Sequence, residues 1–186
     1  LPIFQHLFLI PLQSGSDRIL GLMRRRYTSA KFADRIEKVR SLMPDAFIGI
    51  DVITGFPGET EENFQETYDL LARLKPSFLH IFPFSERPGT PAVDMPDKVP
   101  SYISTQRVAR LEELSDELHY NFCAQGVGAE MDVLFESTMR GGMMYGYTGN
   151  YIRVKAPYRR DLINKICRVR LTEICDDHDV MAEILE

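Results

Sequence analysis

Apolar positions change their rhythm along this chain. Leu7 to Leu12 is a continuous apolar run closed by a Gly/Ser turn, and Phe47 to Ile53 and Phe78 to Phe82 repeat the pattern. Short runs without polar alternation predict strands covered on both faces. Between them the period becomes helical. A short helix is expected over Asp17 to Arg24, and Phe32, Ile36, Val39 and Leu42 then follow a cap at Thr28 or Ser29 and stop at Pro44. Phe64, Tyr68, Leu71 and Leu74 follow Thr60, a good N-cap, with Glu61 and Glu62 in the first turn, where carboxylates favour the positive end of the helix dipole. Pro76 ends that helix. Strand, helix, strand, helix, strand in this order predicts a parallel sheet with right-handed crossovers.

Residues 83 to 100 hold five prolines and predict a long rigid loop. Ser101 can cap the next helix, whose Leu111, Leu114, Leu118 and Phe122 mark a buried face and which should end near Gly126. From there the pattern alternates: Met131, Val133 and Phe135 share one side of a strand, as do Cys167, Val169 and Leu171. Turns are supplied by Gly141-Gly142, Gly146 and Gly149-Asn150, so a small antiparallel barrel is expected. The domains are placed at 1–125 and 126–186.

The composition, 44% hydrophobic over 186 residues, suits a packed core, and no apolar stretch reaches the roughly 20 residues of a membrane span. A cytoplasmic protein without a membrane partner is expected, acting as a monomer. The chain opens on Leu1-Pro2 and enters an apolar run at once, the look of a fragment. Its three cysteines, Cys123, Cys167 and Cys175, match no zinc or cluster spacing and read as free thiols, so no metal ligand is assigned. The net charge of −5 argues against a uniformly basic surface, but not against a local patch.

Such a patch lies in the second domain. Arg153, Lys155, Arg159, Arg160, Lys165, Arg168 and Arg170 face only Asp161 as an opposing charge between 153 and 170, with Tyr145, Tyr147, Tyr151 and Tyr158 close by. Cations beside aromatic rings suit phosphates and stacked bases. A solvated strand face offset by Asp176-Asp177-His178-Asp179 is the plainer alternative.

In the first domain, three Gly/Pro-punctuated segments each follow a strand and should share one rim of the sheet: residues 11–17, 51–60 and 82–92. Thr54-Gly55-Phe56-Pro57-Gly58 exposes backbone groups that could hold an adenine or a carboxylate, unless its glycines merely make the turn. Gln13 and Ser14 suit ribose hydroxyls or an amino-acid group, and one of Arg24, Arg25 and Arg26 could fork a carboxylate. His6 and His80 are the candidate bases, but no nucleophile pattern accompanies them and no catalytic residue is assigned.

Together these motifs resemble the carboxyl-terminal half of a radical S-adenosylmethionine methylthiotransferase. Pro-Leu-Gln-Ser-Gly-Ser-Asp at 11 to 17, Met-Arg-Arg-Arg-Tyr-Thr at 23 to 28, Gly-Phe-Pro-Gly-Glu-Thr-Glu-Glu at 55 to 62 and Arg-Pro-Gly-Thr-Pro-Ala at 87 to 92 carry the likeness; Gly-Tyr-Thr-Gly-Asn-Tyr at 146 to 151 resembles that family's terminal TRAM domain. The resemblance implies an α/β fold, a partial (β/α) TIM-type barrel with parallel strands, followed by a small antiparallel β-barrel, TRAM-type and OB-like, that grips tRNA. It implies S-adenosylmethionine held by Gln13, Ser14, Arg25, Thr54, Gly55, Phe56, Phe82 and Ser85, and RNA held by Tyr147, Asn150, Tyr151, Arg153, Lys155, Arg159, Arg160, Arg168 and Arg170. It further implies two 4Fe-4S clusters in the complete protein. Their Cys-x-x-x-Cys-x-x-Cys loop is absent here, so the fragment alone is expected to be inactive. Leu9 stands where the family commonly has His, and Asn164 where glycine is frequent. Phe82-Pro83-Phe84-Ser85 with Met95-Pro96 and Val99-Pro100 looks most like the branch acting on N6-threonylcarbamoyladenosine beside the anticodon. The branches acting on isopentenyl-type adenosine in tRNA and on a ribosomal protein share the core motifs and stay open as alternatives, as does a non-catalytic RNA-binding module, and the sulfur donor is left open.

Overall fold

The computed structural model describes residues 6–185. The described chain forms two compact units, one of residues 8–44 and 48–118, the other of residues 6–7, 45–47 and 119–185.

The first unit is built on a three-stranded sheet in the order β1 (Leu7–Gln13), β2 (Phe47–Thr54), β3 (Phe78–Pro83), with β2 and β3 parallel and Thr54 opposite Pro83. Between the strands run α1 (Asp17–Leu22), α2 (Ser29–Leu42) and α3 (Glu61–Leu74). Thr28 caps α2 by accepting the Lys31 amide; Thr60 accepts the Asn63 amide while Asn63 returns a bond to the Thr60 backbone, a full capping box. The central strand β2 is buried along most of its length. The outer strands are not. Leu9 of β1 and Phe82 of β3 are exposed, so an apolar run did not mean cover on both sides at the sheet's edges. Leu12, Ile36, Ile48, Ile50, Phe64, Leu71 and Leu111 form the core.

The helix α4 (Ser101–Gly126) is 26 residues long and starts one residue earlier than a Ser101 cap would allow: the Pro100 carbonyl accepts its first amides, from Ile103 and Ser104. Residues 83–100 are irregular except for one 3-10 turn, Pro91–Asp94. In this unit α4 contributes Leu111 and Leu114 to the core, and Ser115 Oγ accepts the Leu79 amide of β3 at 3.0 Å.

The second unit is a closed five-stranded barrel in the order β4 (Glu130–Arg140), β5 (Met143–Thr148), β6 (Arg153–Pro157), β8 (Val180–Ile184), β7 (Ile166–Ile174). Closure removes the exposed edges of a small sheet. Four pairings are antiparallel and β6 runs parallel to β8, so the barrel is mixed; alternation along a strand specifies its faces but not the direction of its neighbour. Val133, Phe135, Met144, Val154, Val169 and Leu171 fill the interior. Gly146 is needed there because a Cβ would sit 2.4 Å from the Leu134 carbonyl oxygen.

Candidate functional site

The ends of β1, β2 and β3 meet at a cavity of about 540 Å³ in the first unit, within the usual range for small-ligand sites. Gln13 stands at its β1 side, Ile53 and Phe56 at its β2 side, and Phe84 just beyond β3; Met23, Arg24 and Arg25 follow α1, and Ala92 and Met95 come from the proline-rich segment. Phe56 and Phe84 meet edge to face at 5.1 Å and make an apolar wall. Gln13 takes a left-handed φ of 69° and is 8% exposed, yet its carboxamide makes no hydrogen bond with another described residue. The residue is buried as a whole, but its amide atoms are not among the buried unpartnered ones, so they stay open to the cavity and can bond whatever occupies it. The Arg25 guanidinium is exposed and makes no ion pair among the described residues. Apolar wall, free amide and free cation suit a small amphiphile with an aromatic ring and a carboxylate.

Of the eight residues expected at the cofactor, Gln13, Arg25 and Phe56 share this cavity. The other five lie elsewhere. Ser14 is fully buried, its hydroxyl bonded to Thr67 Oγ1 at 3.2 Å and accepting the Ser16 amide, so it serves the turn. Thr54 is buried, its carbonyl accepting the Phe84 amide at 2.8 Å. Gly55 lines a separate cleft with Pro83, Lys98 and Ser104; Phe82, 50% exposed, lines a hollow beside Phe78 and His80; Ser85 is exposed. Sequence reading missed Met23, Phe84 and Met95 as wall residues. Their only signal was an apolar residue inside a motif of turn formers.

On the barrel, many of the expected cations have acidic partners outside the 153–170 stretch: Arg168 pairs with Asp132 at 3.3 Å, Arg170 with Glu130 at 2.7 Å, Arg153 with Asp179 at 3.3 Å and Lys155 with Asp177 at 3.0 Å, besides Arg159 with Asp161 at 2.8 Å. Asp132 faces Arg168 and Glu130 faces Arg170 directly across the β4–β7 ladder. The acids are distant in sequence and adjacent in register, which is why local charge counting missed them. Asn150 is 6% exposed and committed to the fold, its oxygen accepting the Thr148 hydroxyl at 2.7 Å and its amide donating to the Asp45 carbonyl at 2.9 Å. Tyr147 and Tyr151 stack on each other at 4.8 Å, and Arg153 lies over the Tyr145 ring at 4.9 Å.

Among the described residues of the barrel, Arg140, Arg160 and Lys165 are exposed cations for which no ion pair is found. Arg140 sits at the β4–β5 hairpin tip, where Gly142 accepts the amide of the exposed Tyr158, while Lys165 accepts the Phe135 amide farther along β4.

Comparison with known proteins decides the family. The profile of the Radical SAM superfamily matches residues 4–71. The threonylcarbamoyladenosine tRNA methylthiotransferase MtaB of Bacillus subtilis is 43% identical over 173 residues, 91% of this chain and 38% of that protein. The chain belongs to the radical SAM methylthiotransferase family. Two further relatives carry the name tRNA-2-methylthio-N(6)-dimethylallyladenosine synthase: that of Nocardia farcinica is 46% identical over 67% of this chain and 25% of its own, that of Syntrophotalea carbinolica 38% identical over 88% and 38%. The chain thus spans well under half the length of these methylthiotransferases. Among solved structures, coproporphyrinogen III oxidase (HemN) of Escherichia coli, a radical SAM enzyme, shows a TM-score of 0.49 at 16% identity, covering 90% of this chain and 41% of its own, too loose a likeness to argue from.

The radical SAM family implies S-adenosylmethionine and iron–sulfur clusters. The cavity's apolar wall, unpartnered Gln13 amide and unpaired Arg25 fit the first. The residues described do not fit a cluster: Cys123 is buried in the barrel core, and no three His, Cys, Asp or Glu side chains gather to hold a metal ion among them. No helix among the described residues is long and apolar enough to cross a membrane.

Proposed function

We propose that the complete protein is a methylthiotransferase that adds a methylthio group to N6-threonylcarbamoyladenosine in tRNA, with this chain supplying part of the S-adenosylmethionine site and an RNA-holding barrel. The observation that carries the reading is the 43% identity to the Bacillus subtilis protein over 91% of the chain; a dimethylallyladenosine synthase matched over a similar 88% reaches only 38%.

When bound, S-adenosylmethionine would supply the methyl group and, given an electron from an iron–sulfur cluster held outside the described residues, the radical that abstracts hydrogen. The chain's own part is to bind and orient. Arg25 offers a fork for the amino-acid carboxylate, the Gln13 amide offers a donor and an acceptor for ribose or amino groups, and Phe56 with Phe84 packs the adenine and keeps water from it. On the barrel, Arg160, Lys165 and Arg140 are exposed cations open to phosphate, and the exposed Tyr158 offers a ring for stacking.

The 46% identity of the Nocardia farcinica synthase over 125 residues favours a second reading, in which the substrate is the dimethylallyl nucleoside. Nucleoside mass spectrometry of tRNA from cells lacking the gene separates the two. Accumulation of N6-threonylcarbamoyladenosine with loss of its 2-methylthio form supports the first reading; loss of the dimethylallyl counterpart instead refutes it.

A further inference from the structure

Behind the wall of the cavity lies an ion pair that the binding residues do not explain. Glu59 and Arg107 have side chains 1% and 5% exposed and meet at 2.6 Å, Arg107 Nη1 donating to Glu59 Oε2. The same carboxylate oxygen accepts the Gly55 amide at 2.7 Å, and Arg107 Nη1 also reaches the Glu59 carbonyl at 3.3 Å. Arg107 Nη2 touches Glu61 Oε2 at 3.3 Å, while its Nε is buried without a partner. Burial pushes the Glu59 carboxyl up, against the pull of the Gly55 amide and Arg107.

Burying two charges is expensive and by itself is weak support for a stabilising role, since apolar residues of similar volume often do as well. What this pair holds is more specific. Gly55 has a left-handed φ of 78°, and a Cβ there would lie 2.7 Å from Ser104 Oγ of α4, so the backbone is pressed against that helix. The next residue, Phe56, forms the cavity wall, and its carbonyl accepts the Glu59 amide at 2.9 Å. One carboxylate oxygen therefore links a guanidinium on α4 to the amide that precedes the wall residue.

We propose that Glu59 and Arg107 are positioning residues for the nucleoside cavity: Arg107 orients the Glu59 carboxylate, which holds the Gly55 amide and thereby sets Phe56 against the ligand. This inference rests on the reading of that cavity as the S-adenosylmethionine site. Charge-assisted bonds are short and directional, and a site is only as exact as the groups that hold it.

The test compares the full-length protein with Arg107→Met and with the double variant Glu59→Gln/Arg107→Met, which strands no charge. Three quantities are read: thermal unfolding, exchange of the Gly55 and Phe56 amides, and the Kd for S-adenosylmethionine by calorimetry. Arg107→Met is expected to lower the unfolding temperature, speed exchange at Gly55 at least tenfold and weaken binding at least tenfold. In the double variant the unfolding temperature recovers, while exchange stays fast and binding stays weak. If binding and exchange recover together with stability, or never change, the pair only supports the fold and the proposal is overturned. Should Arg107→Met fail to fold, the double variant carries the same comparison. A wild-type protein that does not bind S-adenosylmethionine removes the reading of the cavity, while amide exchange at Gly55 still decides whether the pair sets the loop.

Discussion

Of two glycines in one motif, one should tolerate an added methyl group and the other should not. Gly146 lies in β5 opposite Phe135 and Val154, and a Cβ there would meet the Leu134 carbonyl oxygen at 2.4 Å, Val133 Cγ1 at 2.8 Å and the Leu134 carbonyl carbon at 3.0 Å. Relief to an ordinary contact needs a movement of roughly 1 Å. The Val133 methyl can turn, but the Leu134 backbone is held in β4 between β5 and β7 of a closed barrel. Gly146→Ala should therefore reach the upper end of the overpacking range, about 3 kcal/mol. For a domain of this size that corresponds to a drop of about 12–24 °C in the barrel's unfolding temperature. Gly149, three residues on, has nothing within 4 Å of its added Cβ, so Gly149→Ala should stay within about 0.5 kcal/mol of wild type. Denaturant-dependent amide exchange at Val154 and Val169, both buried in the barrel core, reads the two variants locally. A loss below about 1 kcal/mol in Gly146→Ala would refute the packing argument, as would equal losses in the two variants.

Further predictions concern the barrel's titratable groups. Asp179 is 2% exposed with Oδ2 buried and unpartnered, and burial holds its carboxyl above the ordinary 3.8 despite Arg153. The folded state then binds more protons than the unfolded state just above that value, so stability falls as pH rises through the window and is flat beyond it. Asp179→Asn should remove that slope in denaturation midpoints measured across the acidic range; an unchanged slope would assign it to another group. The Cys123 thiol, fully buried, is pushed up to about 11, so iodoacetamide should label Cys167 and Cys175 in the native protein well before Cys123. Peptide mapping after a short exposure checks this, and early labelling of Cys123 contradicts it. In tRNA binding at several salt concentrations, Arg160→Gln and Lys165→Gln should each reduce the salt slope by about one, while Arg170→Gln, whose charge is already met by Glu130, should leave it nearly unchanged. An equal effect of all three would restore the broad cationic face.

What could be read along the chain was whatever a few neighbouring residues settle among themselves. The Thr60–Asn63 cap, the Thr28 cap, the stripe of Phe64, Leu71 and Leu74, and the alternation of Val133 and Phe135 are each written within one turn or one strand, because caps and side-chain faces depend on separations of two to four residues. The rim motifs belong here too, since a turn's glycines mark its place. Register and long-range packing are another matter. The period of two leaves a strand's partner and direction open, so the pairing of Asp132 with Arg168, and the parallel contact of β6 with β8, emerge only when the barrel closes. Gln13, Arg25, Phe56 and Phe84 likewise come from separate segments, and Arg107 reaches Glu59 across 48 residues. No local pattern encodes such meetings, because the energy that selects them comes from burying the whole core at once.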